Sequence, residues 1–292
     1  MTFLIAFIVG AGNLAGALVA PRDKRGPRTW IALVLGLPSL VAAHWIPRDW
    51  PIFRTVAAIG LTAGYYRLIA IALRPHSPML GRVFTVVLPI IEPRRVSRAP
   101  RSVRVDLVVA GAFEIAVAIV LFLCAKTYPR HSIAIRTLVA GSSAYFMVDG
   151  TARVLEAITS AIGVDIGPLH DAPILARTVG EFWNRRWNRA IHAWLNEFAF
   201  RPVAKRAGVA MGVMAAFGAS AVLHFIPLCI AYDPKWACAM GAFFLIHGVV
   251  VVIESKLGVA RWPRALGHAW TLAVFAITAP LFIEPLLQSL GG

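Results

Sequence analysis

The chain has 292 residues, 59% of them hydrophobic, with a mean hydropathy of +0.72. That excess over the apolar share of a soluble domain, gathered into long runs, excludes an ordinary water-soluble fold and points to a polytopic bundle. The formal charge is +15, from 29 Lys and Arg against 14 Asp and Glu. Most of the basic residues lie between apolar runs, where they set topology and meet anionic head groups, so nucleic acid is not the expected partner.

A spanning helix needs about 20 mostly apolar residues. The runs near 2–20, 29–47, 52–73, 103–125, 133–158, 208–231, 237–257 and 266–288 meet this need, so the expected fold is all-α, with about eight transmembrane helices in one multi-spanning domain over 1–292. The first run carries its positive charge after the apolar stretch rather than before it. It reads as a retained helix and not as a signal peptide. The short stretch 83–91, VFTVVLPII, is too short to span and reads as re-entrant or interfacial.

With eight helices, the odd loops hold Arg22, Lys24, Arg25 and Arg28, then Arg74, Arg82, Arg94, Arg95, Arg98 and Arg101. They continue with Arg177, Arg185, Arg186, Arg189, Arg201, Lys205 and Arg206, and last Arg261 and Arg264. The even loops are poorer, although Lys126 and Arg130 break the rule. This bias places both termini outside. Cys124, Cys229 and Cys238 show neither CxxC spacing nor a disulfide framework, and no histidine spacing indicates a metal site.

Polar residues inside the runs cost energy and need partners or a water-filled cavity. They are Arg67, Asp106, Glu114, Asp149, Arg153, Glu156, His224, His247, Glu254, His268 and Glu284.

The densest local signal is Phe182-Trp183-Asn184-Arg185-Arg186-Trp187-Asn188-Arg189-Ala190-Ile191-His192-Ala193-Trp194-Leu195-Asn196-Glu197-Phe198. On a continuous helix, Trp183, Trp187, Ile191, Trp194 and Phe198 fall within an arc of about 80°. Asn184, Asn188 and His192 step along one flank. This predicts an amphipathic interfacial helix over 180–200. It serves either as an anchor alone or as a surface for a phosphorylated amphipathic ligand met by Arg185, Arg186 and Arg189. In the next run, His224 follows the small residues Gly218 to Ala221 and precedes Pro227. It reads either as a structural histidine satisfied by a neighbouring helix or as a buried general base.

Together these two features resemble the membrane-bound O-acyltransferase superfamily, and within it the wax synthase branch of long-chain-alcohol O-fatty-acyltransferases. The resemblance rests on Phe182 to Asn188, followed by His192, Trp194 and Pro202, and on His224 after Ser220 and Ala221. Phe243-Phe244-Leu245-Ile246-His247-Gly248 followed by Glu254 is a weaker third match, and the matches cover roughly 180–290. Asn184 and Ala221 stand where relatives often have glycine, and Phe225 where many carry glutamate.

The resemblance implies transfer of a fatty acyl group from acyl-CoA to the hydroxyl of a long-chain alcohol, as in wax ester synthesis. His224 would act as general base, with Asn188 and His192 assisting. Arg185, Arg186, Arg189, Trp187 and Trp183 would bind substrate. No tightly bound cofactor or metal is implied. The expected partners are acyl-CoA, the lipid acceptor and membrane lipids. Alternatives are the same chemistry on a diacylglycerol, sterol or polyketide hydroxyl, a small membrane transporter, or a non-catalytic scaffold. Ala- and Arg-rich usage leads to the expectation of a bacterial cytoplasmic membrane.

Overall fold

The computed structural model describes residues 2–21, 26–73, 97–127 and 132–291, together with Arg82 and Val86. Among the described residues the fold is all-α apart from one two-residue antiparallel pairing, Ser97 with Asp165 and Arg98 with Val164. The stretch 83–91, expected to be re-entrant or interfacial, lies outside the described residues except for Val86.

Among the described residues, five helices are long and apolar enough to cross a membrane: Thr2–Val19, Pro51–Leu73, Val105–Thr127, Val209–Ala231 and Pro234–Leu257. Arg264–Thr278 and Pro280–Ser289 make a sixth if counted as one span, bent by 44°. The expected fold of transmembrane helices stands, while the count of about eight is not confirmed among the described residues. The run 29–47 does not form one helix. Pro27–Gly36 stops before Pro38, which lacks an N–H and whose ring opposes the preceding turn, and the chain continues in two 3-10 turns, Leu37–Leu40 and Ala42–Trp45. The run 133–158 does form a helix, Ile133–Ala161, of 29 residues. It carries Arg136, Asp149, Arg153 and Glu156, too much charge for a plain apolar span.

The chain divides into two compact units. The first comprises 1–94, 220–241 and 288–292. Its core gathers Ala17, Ala32, Leu68, Ile71 and Ala72. Several buried polar side chains there donate to backbone carbonyls, which lowers the cost of burying them. Asn13 Nδ2 donates to the Leu61 carbonyl at 2.8 Å, and Arg54 donates to the carbonyls of Ile46 and Ile230 at 2.7 and 3.0 Å. Arg82 donates to those of Ala20 and Pro21 at 2.8 and 2.9 Å.

The second unit comprises 95–219 and 242–287. Val105–Thr127 packs along Ile133–Ala161 with Gly111 against Gly150, and a Cβ on either glycine would run into the other helix's backbone. Ser143 Oγ donates to the Ala118 carbonyl at 2.7 Å across this contact. Arg136 pairs with Glu284 at 3.2 Å in a buried ion pair. The outer faces stay apolar: Phe113, Leu138 and Ile277 are 68%, 72% and 79% exposed, as expected of surfaces that meet lipid.

Candidate active site

The Trp- and Arg-rich segment belongs to the second unit and is held at its entrance by charge. Three donors converge on the buried Glu254 carboxylate: the N–H groups of Val179 and Gly180 at 2.7 and 2.9 Å, and the Trp270 indole at 2.8 Å. A helix start leaves such N–H groups unpaired, and a carboxylate answers them best. Thr178 caps the same turn by accepting from the Glu181 N–H at 2.8 Å. The strap leading in is fastened by His268 Nδ1, which donates to the Ala176 carbonyl at 3.0 Å, and by Arg177, which donates to the Trp262 carbonyl at 3.2 Å.

The helix expected over 180–200 is interrupted. Val179–Glu181 widens into a π-turn at Phe182–Arg186, Trp187 is extended, and Asn188 takes a left-handed conformation with φ 40° and ψ 62°. Asparagine tolerates that region because its side chain bonds locally. Here its Oδ1 accepts from the Ile191 N–H at 3.2 Å and caps the next helix, Arg189–Leu195. A second π-turn, Asn196–Phe200, leads into Arg201–Ala207.

The break separates residues that a continuous helix would align. Trp183 turns inward, and its indole donates to Nδ1 of the buried His247 at 3.1 Å, among Phe244 and Phe275. His247 Nε2 lies 2.9 Å from Thr278 Oγ1, whose hydroxyl donates to the Val274 carbonyl at 2.8 Å. These contacts assign the proton to Nε2 and engage both ring nitrogens. Trp187 stacks instead on His170, with centroids 4.6 Å apart and planes 7° apart, and also faces Phe182 and Tyr145.

The three arginines divide. Arg186 donates to Glu181 at 2.7 Å and to the carbonyls of Asp171 and Ala172 at 3.0 and 3.2 Å, so its guanidinium closes the turn. Arg185 is exposed and Arg189 half-buried, and neither side chain has a partner among the described residues. Burial pushes the Glu181 carboxyl up, but the Arg177 N–H and the Arg186 guanidinium outweigh it and hold Glu181 below the usual carboxylate range.

Asn188 Oδ1 is engaged by the cap, while its Nδ2 has no partner among the described residues. His192 sits one turn on, its N–H bonded to the Asn188 carbonyl at 3.0 Å. His224 belongs to the first unit. Its Nδ1 lies 2.8 Å from the Ser220 carbonyl one turn back, so Nδ1 carries the proton and Nε2 is the basic nitrogen.

Three of the polar residues within the runs, Glu114, Asp149 and Arg153, form a cluster with His170, which the sequence does not single out. His170 Nδ1 meets Asp149 Oδ1 at 2.8 Å, Arg153 reaches Asp149 Oδ2 at 3.0 Å, and Arg153 also reaches Glu114 Oε2 at 3.2 Å. The available signal was the Asp149/Arg153 pair at i, i+4; nothing local pointed to His170, 21 residues away. Among the described residues, no group of three or more His, Cys, Asp or Glu side chains could hold a metal ion.

Residues 166–245 match the Membrane bound O-acyl transferase family. "Probable long-chain-alcohol O-fatty-acyltransferase 2" of Arabidopsis thaliana is 29% identical over 143 residues, 44% of this chain and 41% of that protein. "Long-chain-alcohol O-fatty-acyltransferase" of Simmondsia chinensis is 28% identical over 145 residues, 44% of this chain and 41% of that protein. "Acyl-CoA--sterol O-acyltransferase 1" of Arabidopsis thaliana is 28% identical over 145 residues, with the same shares. The matched stretch thus spans less than half the length of these relatives. They are plant proteins and lend no support to the bacterial membrane expected from composition. Over these residues the chain is shown to resemble the membrane bound O-acyl transferase family, and within it the long-chain-alcohol O-fatty-acyltransferases.

Proposed function

We propose that the chain is a membrane O-acyltransferase that moves a fatty acyl group from acyl-CoA to the hydroxyl of a long-chain alcohol. The observation that carries this reading is the turn at Asn188. The family-like run Phe182 to Asn188 ends in a left-handed asparagine whose Oδ1 is fixed and whose Nδ2 is left as a donor. A fixed donor is what a developing oxyanion needs.

In this reading His224 Nε2 takes the proton of the acceptor hydroxyl, and the oxygen attacks the thioester carbonyl carbon. Asn188 Nδ2 donates to the oxygen that becomes negative. The C–S bond then breaks, the sulfur takes a proton, and ester and CoA leave. Arg185 and Arg189, without partners among the described residues, meet the phosphates of CoA. Arg186, Trp187 and Trp183 shape the turn that presents them. His192 lines the same helix start as Asn188.

The sterol-acylating relative supports a second acceptor class under the same chemistry. Purified full-length protein in lipid vesicles, given labelled palmitoyl-CoA with hexadecanol, a sterol or diacylglycerol, tests both. The expected result is palmitoyl ester on hexadecanol, cut about 10²–10⁴-fold by His224→Ala. Ester on the sterol alone would move the acceptor. No ester on any of the three would overturn acyl transfer, and an undiminished rate in His224→Ala would overturn the role of that histidine.

A further inference from the structure

The Asp149–His170 pair has the build of an acid–base dyad, and it lies against the same turn that carries Asn188. Its two side chains are only 8% and 6% exposed. The contact at 2.8 Å assigns the Nδ1 proton to the carboxylate side, and Nε2 has no partner among the described residues. The imidazole is clamped flat on Trp187, and backbone bonds bracket it on both sides. Asp171 N–H donates to the Arg186 carbonyl at 2.9 Å, and Arg189 N–H to the Leu169 carbonyl at 3.0 Å. A ring so fixed, with one nitrogen held by a carboxylate and the other unengaged, is the arrangement by which a carboxylate orients a histidine for proton transfer.

Charged and aromatic groups surround it. Asp149, Glu114 and Glu156 are three carboxylates in the cluster. Arg153 pairs with the first two, and Glu156 accepts the Leu169 N–H at 2.9 Å. Tyr145 and Phe182 complete the aromatic wall on Trp187.

We propose that His170, oriented by Asp149, is a second acid–base residue of the reaction and gives its Nε2 proton to the departing CoA sulfur. This rests on the acyl-transfer reading above. When the C–S bond breaks, its electron pair goes to sulfur, and the proton on His170 Nε2 follows. Neutral His170 then regains a proton from water, and the proton removed from the alcohol by His224 returns to water, so that alcohol and acyl-CoA give ester and CoA with nothing left over.

A general acid matters for a poor leaving group and little for a good one. The test therefore compares palmitoyl-CoA with S-(4-nitrophenyl) thiopalmitate, whose aryl thiolate leaves without a proton, in full-length protein with hexadecanol. His170→Asn, which keeps an N–H toward Asp149, is expected to lose about 10²-fold with palmitoyl-CoA and under about 3-fold with the aryl thioester. Asp149→Asn should show the same donor dependence, less strongly. Equal losses with both donors, or no loss with either, would overturn the proposal and leave acyl transfer standing. Wild-type protein supplies a check that needs no variant: its rate with palmitoyl-CoA should fall at high pH, where the rate with the aryl thioester does not. Profiles of the same shape for both donors would also overturn it. Absence of transfer by wild type from either donor would overturn the acyl-transfer reading, and this assignment with it.

Discussion

The indole N–H of Trp183 donates to Nδ1 of His247, 64 residues away, at 3.1 Å. This one bond changes the role of a residue that hydropathy alone would place at the lipid interface. Trp183 is driven inward by the π-turn at Phe182–Arg186, and His247 is fully buried with both ring nitrogens engaged. A histidine so satisfied cannot serve as a general base without losing one of its bonds. It locks the motif to the Pro234–Leu257 helix.

The pair should therefore behave as a structural unit. Trp183→Phe removes a donor and leaves an acceptor unpaired in an apolar cluster, at a cost of about 1–3 kcal/mol. His247→Leu leaves the Trp183 N–H without an acceptor and removes the bond that Thr278 Oγ1 accepts, costing about 2–4 kcal/mol. The double variant should cost less than the sum by about 1–2 kcal/mol, the signature of a shared bond. Unfolding of the detergent-solubilised protein, followed for the four members of the cycle, measures this. Strict additivity would mean the contact contributes nothing.

Glu181 provides a pH signature for the turn. Its carboxyl is held below the ordinary range, because the Arg177 N–H and the Arg186 guanidinium outweigh burial. A depressed carboxyl stabilises the fold above its unfolded value, and that contribution disappears as pH falls through the folded one. Wild type should be more stable than Glu181→Gln at pH 7 by about 1 kcal/mol. The gap should close as the pH drops below about 4, the ordinary glutamate range. Melting temperatures of both proteins across that window provide the measurement, and a constant gap would contradict the assignment.

Much of the bundle was legible from the sequence, because a helix is the form in which a long apolar run satisfies its own backbone in lipid. Thr2–Val19, Pro51–Leu73, Val105–Thr127, Val209–Ala231 and Pro234–Leu257 follow such runs closely. The run 29–47 misled because average hydropathy does not register Pro38. The site was legible only as a motif. A helical wheel assumes unbroken geometry, and the π-turn at Phe182–Arg186 followed by the extended Trp187 sends Trp183 and Trp187 to different neighbours. Metal-ligand spacing does not single out His170, because its partner is a carboxylate on another element. Its role depends on a tertiary contact that no local pattern encodes.

Arg185 and Arg186 are adjacent in sequence but differ in kind. Arg186 closes three bonds within the turn, whereas Arg185 has no partner among the described residues. If Arg185 meets CoA phosphates, Arg185→Ala should raise KM for acyl-CoA about 5–10-fold with kcat little changed, and the effect should shrink in high salt. Arg186→Ala should instead lower the melting temperature, since it removes a charged donor from Glu181 and from the carbonyls of Asp171 and Ala172. Kinetics at two ionic strengths and a thermal melt separate the two. The reverse assignment of effects would move the CoA contact to Arg186.

Asn188 carries two duties that substitutions can separate. Its backbone sits at φ 40°, where glycine is at ease and alanine is strained. Its Oδ1 caps the following helix, and its Nδ2 is the proposed oxyanion donor. Asn188→Gly keeps the turn, loses a cap worth only a few tenths of a kcal/mol against glycine, and removes the donor. It should fold nearly as well as wild type and lose about 10²–10³-fold in kcat. Asn188→Ala adds about 1 kcal/mol of backbone strain to the same catalytic loss. Asn188→Asp keeps the capping oxygen and the backbone preference but replaces the donor with a charge that repels the oxyanion. It should therefore be as stable as wild type and no more active than the glycine variant. Comparable kcat in Asp and wild-type proteins would show that the side chain matters to the helix start alone, because the aspartate repeats every structural contact of Asn188 and lacks only the N–H.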